Sequence, residues 1–180
     1  MDTVVTLTLP ESDANATRKS LEALSQQLNC YADQGALAAL NASGTSQDAD
    51  LRDVISQTIL LEDRFGTGVQ LSSGALSRLW GITSEHPRVP TDADRLAALE
   101  TLGDDRIRLD RSGITLPADM QLDLGAVAKG YALDQTAQQW QDAGIAWGIL
   151  SLRSSVLLYG SKPGGEDFTV QIQDPNGTGI

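Results

Sequence analysis

Histidine and cysteine occur once each in the 180-residue chain, as His86 and Cys30. One cysteine excludes an intrachain disulfide and a Cys-rich metal site, and Cys30 reads as a small, partly buried residue. His86 lies in Ser84-Glu85-His86-Pro87-Arg88-Val89-Pro90, a loop by its prolines, and reads as a solvated loop residue. Without a second imidazole, a zinc site or a Ser-His-Asp triad built on it is not expected. Aromatic residues make up only 4% of the chain, so the core must rest on Leu, Val, Ile and Ala. Basic residues are few as well: 13 Lys and Arg stand against 24 Asp and Glu, for a net charge of −11. That balance excludes a sequence-independent grip on nucleic acid and disfavours an anionic membrane surface. It leaves phosphate ligands open, because backbone N–H groups hold phosphate without side-chain charge. No apolar run approaches the roughly 18 residues of a membrane span. No basic segment or apolar h-region precedes Val4–Leu9, so the chain is expected to be cytoplasmic, or exported with its export segment removed.

What is present is ordinary globular composition, 41% hydrophobic and 21% charged, in a length that suits a single domain over residues 1–180. Thr3–Leu9 alternates, predicting a strand with Val5, Leu7 and Leu9 inward, and Ser12 or Asp13 can cap the following helix through Leu21, Leu24 and Leu28. A short helical piece around Leu37 and Leu40 precedes a helix over Asp50–Asp63, with Leu51, Val54, Ile55, Thr58 and Leu61 facing inward. A Gly/Ser-rich loop at residues 66–74 leads to a short helix packing Leu76, Leu79 and Trp80. A further helix opens at Asp92 or Asp94, runs through Leu96, Leu99 and Leu102, and stops at Gly103. Ile107–Leu109 and Gly113–Leu116 read as a hairpin, Gln121–Leu124 as a strand and Val127–Ala143 as a helix. Ile145–Leu152, Val156–Tyr159 and Phe168–Ile172 follow as strands. This order is no regular βαβ alternation. It predicts an α+β fold, mainly antiparallel sheet with packed helices, and apparently incomplete. A sheet edge left after residue 172 would want a partner strand, so a homodimer is expected as an option.

The segment Leu122-Asp123-Leu124-Gly125-Ala126-Val127-Ala128-Lys129-Gly130-Tyr131 carries the clearest chemical signal. A strand ending at Leu124 and a helix opening near Val127 would offer free N–H groups and the positive end of a helix dipole. Lys129 opposes that dipole, and Gly130 costs up to about 1 kcal/mol against Ala, so both ask for a reason. Either the segment forms an anion site, or the glycines allow tight helix–sheet packing and Lys129 is a solvated charge. Spacing alone favours packing, since neither a Walker A motif nor G-x-G-x-x-G is present. The loop at residues 66–74 poses the same choice between a main-chain cradle and a flexible connection. Asp104, Asp105, Asp110, Asp119 and Asp123 read as turn and surface carboxylates.

The order of separate motifs narrows the choice. Met1-Asp2-Thr3-Val4-Val5-Thr6-Leu7, Leu79-Trp80-Gly81-Ile82-Thr83, Arg88-Val89-Pro90, the Leu122–Tyr131 segment, Gly160-Ser161-Lys162-Pro163 and Val170-Gln171-Ile172-Gln173-Asp174-Pro175 resemble the FAD:protein FMN transferase family. The resemblance implies a flavin-transferase-like fold, represented by its N-terminal portion, and a magnesium-dependent enzyme. Such an enzyme moves FMN from FAD onto a Thr or Ser of a target protein and releases AMP. It implies that Met1 and Tyr31 contact FAD, that Gly68, Val69 and Gln70 line the flavin site, and that Gly125 and Tyr131 border it. It further implies that Lys129 lies beside the phosphates and that the backbone carbonyl of Ala128 is a Mg2+ ligand. This sequence departs from the family pattern in three places. Gly35-Ala36 stands for a Ser-Glu pair, Gln70 for an acidic residue, and Arg153-Ser154-Ser155 for a Gly-Gly-Asn turn. The family's His-Ile-x-Asp-Pro segment and its Asp and Thr magnesium ligands are expected past residue 180. A non-catalytic flavin- or partner-binding relative, or a scaffold without function, are the other expectations.

Overall fold

The computed structural model describes residues 3–9, 11–172, 174 and 176–177. Met1 lies outside them. Lys19–Ala132 form one compact unit, and the residues up to Arg18 with those from Leu133 form another.

In the first unit, helices α2 (Ala36–Ser43), α3 (Ala49–Phe65), α4 (Gly74–Trp80) and α5 (Asp92–Leu99) accompany a small antiparallel sheet. That sheet has strand order β2 (Thr45–Ser46), β4 (Gly113–Thr115), β3 (Arg108–Asp110). Helix α3 is well specified. Asp48 caps it by accepting a hydrogen bond from the Leu51 amide at 2.8 Å, and Gly66 closes it in the left-handed conformation. Leu51, Val54, Ile55 and Thr58 point inward as expected, but Leu61 is 49% exposed and lies off the buried stripe. Together with Leu37, Leu40, Leu71, Ile114, Leu122 and Leu124 these residues form the core of the unit. Helix α5 has the expected period but no buried residue: Leu96 is 56% exposed. It ends at Leu99, four residues before Gly103, and its cap is Thr91, whose hydroxyl accepts from the Asp94 amide.

In the second unit, β1 (Thr6–Thr8), β5 (Trp147–Ser151) and β6 (Val156–Gly160) make an antiparallel sheet in the order β1-β5-β6. Residues up to Arg18 of α1 (Glu11–Gln27) and from Leu133 of α6 (Ala128–Asp142) belong to it. Helix α1 starts at Glu11, so positions 12 and 13 lie within its first turn rather than ahead of it. The strand at the N-terminus is shorter than the alternation predicts, and Val5 is exposed. Trp140 is the buried centre of this unit. Its indole N–H donates to the Thr17 hydroxyl at 2.9 Å and its ring meets Tyr159 edge-on at 5.6 Å. Gly148 lets it in: a Cβ there would stand 2.6 Å from the indole ring. The β5–β6 turn holds Arg153 at φ 64, a left-handed conformation in which glycine is at home and which a side chain adopts at a local cost. Phe168–Ile172 is not a strand, and Ile172 is exposed, so the sheet edge expected there is not formed.

The α+β class with antiparallel sheets is as the sequence predicts. The predicted strand Gln121–Leu124 is a correction. Its alternation is real, with Leu122 and Leu124 both fully buried, but its backbone bonds to no strand.

Candidate functional site

That extended segment is held by an amide and a turn. Asn41, on α2, accepts from the Leu122 N–H through Oδ1 and donates to the Leu122 carbonyl through Nδ2, each at 2.8 Å. One side chain therefore does for a buried residue what a neighbouring strand would do. On the other side the Asp123 N–H donates to the Leu71 carbonyl at 2.8 Å, and the Gly74 N–H to the Gln121 carbonyl at 3.0 Å. This contact is close enough to demand glycine, since a Cβ at Gly74 would stand 2.7 Å from the Gln121 oxygen and 2.9 Å from that of Leu122. The loop that the resemblance assigns to flavin is thus docked along the segment assigned to the phosphates.

With Leu122 and Leu124 driven into the core, period two turns Asp123 the other way. Its Oδ1 accepts from the Gly125 N–H at 2.8 Å, and its Oδ2 accepts from the Tyr31 hydroxyl at 3.3 Å. The Leu124 carbonyl accepts from Val127 and Ala128, and α6 begins at Ala128. Arg78 frames Tyr31: its guanidinium lies 5.3 Å from the centre of the Tyr31 ring, and its Nη2 donates to the Cys30 carbonyl at 2.6 Å. Burial first, and then the Asp123 charge, hold the Tyr31 phenol above its ordinary range.

The same two causes push the Cys30 thiol up to about 11. The protonated thiol then contributes stability that is fully present below its ordinary value of 9 and is lost as pH rises toward about 11. Cys30 is buried, and a thiol raised by two units carries about 100-fold less thiolate. A disulfide-exchange reagent at pH 8 is expected to label Cys30 at least about 100-fold more slowly in the folded than in the unfolded protein. Rapid stoichiometric labelling of the folded chain would contradict this environment.

Of the residues singled out from sequence, Tyr31 and Gly125 meet at Asp123, and Gln70 connects to them through Leu71. Gly68 is exposed and left-handed at φ 74, and Val69 packs against the core while its N–H reaches the Glu62 carboxylate at 3.3 Å. The Thr67 hydroxyl donates to the same Glu62 carboxylate and is the main cause of its lowered pKa. Lys129 is half-exposed on the first turn of α6. Tyr131 turns the other way: its ring is buried and its hydroxyl donates to Asp53 on α3 at 3.1 Å. Burial and that hydrogen bond push its phenol well above the ordinary range. Ala128 is buried at the first helical position, where carbonyls point along the axis into the helical ladder. At Gly130 an added Cβ would meet nothing within 4 Å, so no protein atom among the described residues requires glycine there.

Asp123 was legible only as one of five turn carboxylates, although Asp-x-Gly spacing is the signature of a side chain capping its own turn. The five do not converge. Asp119 pairs with Arg106 at 2.6 Å, Asp110 caps Ser112, and Asp104 turns toward the 70–72 loop. Among the described residues, no group of three or more His, Cys, Asp or Glu is arranged to hold a metal ion. No helix of the described residues is long and apolar enough to cross a membrane. A hollow of about 490 Å³ also opens in this unit, lined by Asn41, Arg78, Arg88, Asp119, Met120 and Gln121 among others.

This architecture is that of the flavin transferases. The Vibrio cholerae flavin transferase ApbE matches with a TM-score of 0.82, covering 100% of this chain and 64% of its own at 21% identity. The Thermotoga maritima apbe protein matches with a TM-score of 0.85, over 99% of this chain and 61% of its own, again at 21% identity. The chain belongs to the ApbE family, whose model matches residues 1–180. The FAD:protein FMN transferase of Treponema pallidum is 29% identical over 195 residues, covering 94% of this chain and 54% of its own. That of Salmonella typhimurium is 26% identical, over 82% of this chain and 45% of its own. The chain spans about half the length of the curated relatives it matches.

Proposed function

We propose that this chain binds FAD and forms the flavin-holding part of an FMN transferase acting on a protein Thr or Ser. The observation that carries the reading is the union of two separately suspected segments. Leu71 and Gly74 of the glycine- and serine-rich loop are hydrogen-bonded to Asp123 and Gln121, and the Asp123 carboxylate joins Tyr31 to the Gly125 turn. In the reaction the acceptor hydroxyl oxygen bonds to the FMN phosphorus, the pyrophosphate bond breaks, AMP leaves and the hydroxyl proton is released. The part of this chain is to hold the dinucleotide: Tyr31 against the flavin, Lys129 as positive charge beside the phosphates, and the Gly125 turn as close backbone. Such positioning and charge neutralisation is what phosphoryl transfer chiefly requires. Magnesium, when bound in such a reaction, neutralises charge on the transferring group. The residues described here do not make a site for it by themselves. A hard cation needs several converging oxygens, and Ala128 offers one carbonyl already directed into a helix.

Titration with FAD, followed by flavin fluorescence, tests the binding; no change up to high micromolar FAD defeats the reading and leaves a scaffold. Release of AMP with flavinylation of a Thr- or Ser-containing peptide separates an enzyme from a flavin-binding relative. Gly130→Ala gives a sharper result, because the position is open in the protein itself. Alanine there is expected to stabilise α6 by a few tenths to about 1 kcal/mol. If a ligand occupies the space, the same variant binds FAD at least several-fold more weakly. A variant that melts higher and binds unchanged removes Gly130 from the site.

A further inference from the structure

The carboxylate of Asp104 receives three hydrogen bonds from the proposed flavin loop. The Leu71 N–H donates to Oδ2 at 2.7 Å, the Ser72 N–H to Oδ1 at 2.8 Å, and the Gln70 side-chain Nε2 to Oδ1 at 2.7 Å. Nε2 also donates to the Ser72 hydroxyl at 2.8 Å, which in turn accepts from the Gly103 N–H at 3.0 Å. Both amide hydrogens of Gln70 are thereby used, and one of them is held by an ion. Turning the amide over would set its oxygen against the carboxylate, so the orientation is fixed. The donor end is committed to Asp104 and Ser72, which leaves the acceptor end, Oε1, as the open group of an exposed residue. Position 70 is also where the resemblance expects an acidic residue. Here the negative charge comes instead from residue 104, 34 positions along the chain, and reaches the turn from outside.

We propose that Asp104 is a positioning residue for ligand binding: it locks the 70–72 turn and sets Gln70 to present a hydrogen-bond acceptor to a donor group of the bound nucleotide. The inference rests on the reading of loop 68–70 as part of the FAD site. Its chemistry is narrower. A flavin offers such a donor in the imide N–H of its ring, and an adenine in its amino group; the fixed amide favours either over a ligand edge made only of acceptors.

The test uses the intact chain and four proteins: wild type, Asp104→Asn, Gln70→Ala and the double variant. FAD affinity is read by flavin fluorescence, and exchange of the Leu71 and Ser72 amides by hydrogen–deuterium exchange. Asp104→Asn is expected to speed exchange at both amides at least about tenfold and to weaken FAD about tenfold. Gln70→Ala is expected to weaken FAD by a similar factor, with the double variant no worse than the weaker single one, because the two residues act as one unit. FMN and AMP, titrated separately, assign the donor to flavin or adenine by which of them loses affinity in Gln70→Ala. Affinity within twofold of wild type in Asp104→Asn, or losses that multiply in the double variant, overturns the proposal. If the wild-type chain binds no FAD, the FAD reading fails and the exchange data still judge the lock. Unchanged exchange at Leu71 and Ser72 overturns that as well. Thermal melts of all four identify any variant that has simply unfolded.

Discussion

Asn41→Leu is expected to destabilise the first unit by about 2–6 kcal/mol, although it replaces a half-buried polar residue with an apolar one of similar size. The cost arises at Leu122, which is fully buried and has its N–H and carbonyl on the Asn41 amide. Leucine leaves both groups desolvated and unmatched, at roughly 1–3 kcal/mol each. Asn41→Asp separates this from a packing effect. It keeps an acceptor for the Leu122 N–H but sets a carboxylate oxygen against the Leu122 carbonyl, so no more than half of the loss should return. Urea denaturation read by far-UV circular dichroism gives the comparison, and a loss below about 1 kcal/mol for Asn41→Leu would show that water or another group takes over. If the chain binds FAD as proposed, the same variant should abolish that binding before it abolishes folding, because Asp123 is carried on this segment.

The second large effect belongs to the other unit. Trp140→Ala is expected to cost about 3–5 kcal/mol, the usual range for emptying a buried aromatic site. At roughly 2–4 °C per kcal/mol, the melting transition should fall by about 10 °C. Trp140 is fully buried, Gly148 leaves room for its ring, and Tyr159 meets it edge-on. Trp140→Phe keeps part of that packing and removes the N–H donated to Thr17. The Thr17 hydroxyl still donates to the Asp13 carbonyl at 3.2 Å, so this change should cost only about 1–2 kcal/mol more than the lost area. Equal melting points for the Ala and Phe variants would mean that ring packing contributes little.

Period-based reasoning found what burial enforces and missed what only a partner can decide. Helix α3 was legible because Leu51, Val54, Ile55 and Thr58 repeat on one face, whereas its Asp48 cap, two residues ahead of the expected start at Asp50, was not. The same logic placed Leu61 inward and gave α5 a buried stripe, yet Leu61 and Leu96 face outward. A repeat states which side is apolar; it does not say that another element covers it. Gln121–Leu124 shows the reverse. Alternation gave the correct buried pair, Leu122 and Leu124, while the partner is an amide on a helix 81 residues away, which no local pattern announces. The motif at 122–131 was visible in the sequence, as was the glycine-rich loop. That the two lie side by side was not, because the hydrogen bonds joining Leu71 to Asp123 and Gly74 to Gln121 depend on tertiary approach. Asp104 looked like its acidic neighbours for the same reason.

The span of these contacts bears on when the candidate site can form. Tyr31 reaches Asp123 across 92 residues, and Asn41 reaches Leu122 across 81, so no short stretch of chain can assemble the site before the unit has closed. If the chain binds FAD as proposed, binding is then an all-or-none report of a finished first unit. By mass action, FAD at 100 times its dissociation constant would raise the apparent stability of that unit by about 2.7 kcal/mol. Ligand-dependent protection from proteolysis, strongest in Lys19–Ala132, would be its visible sign.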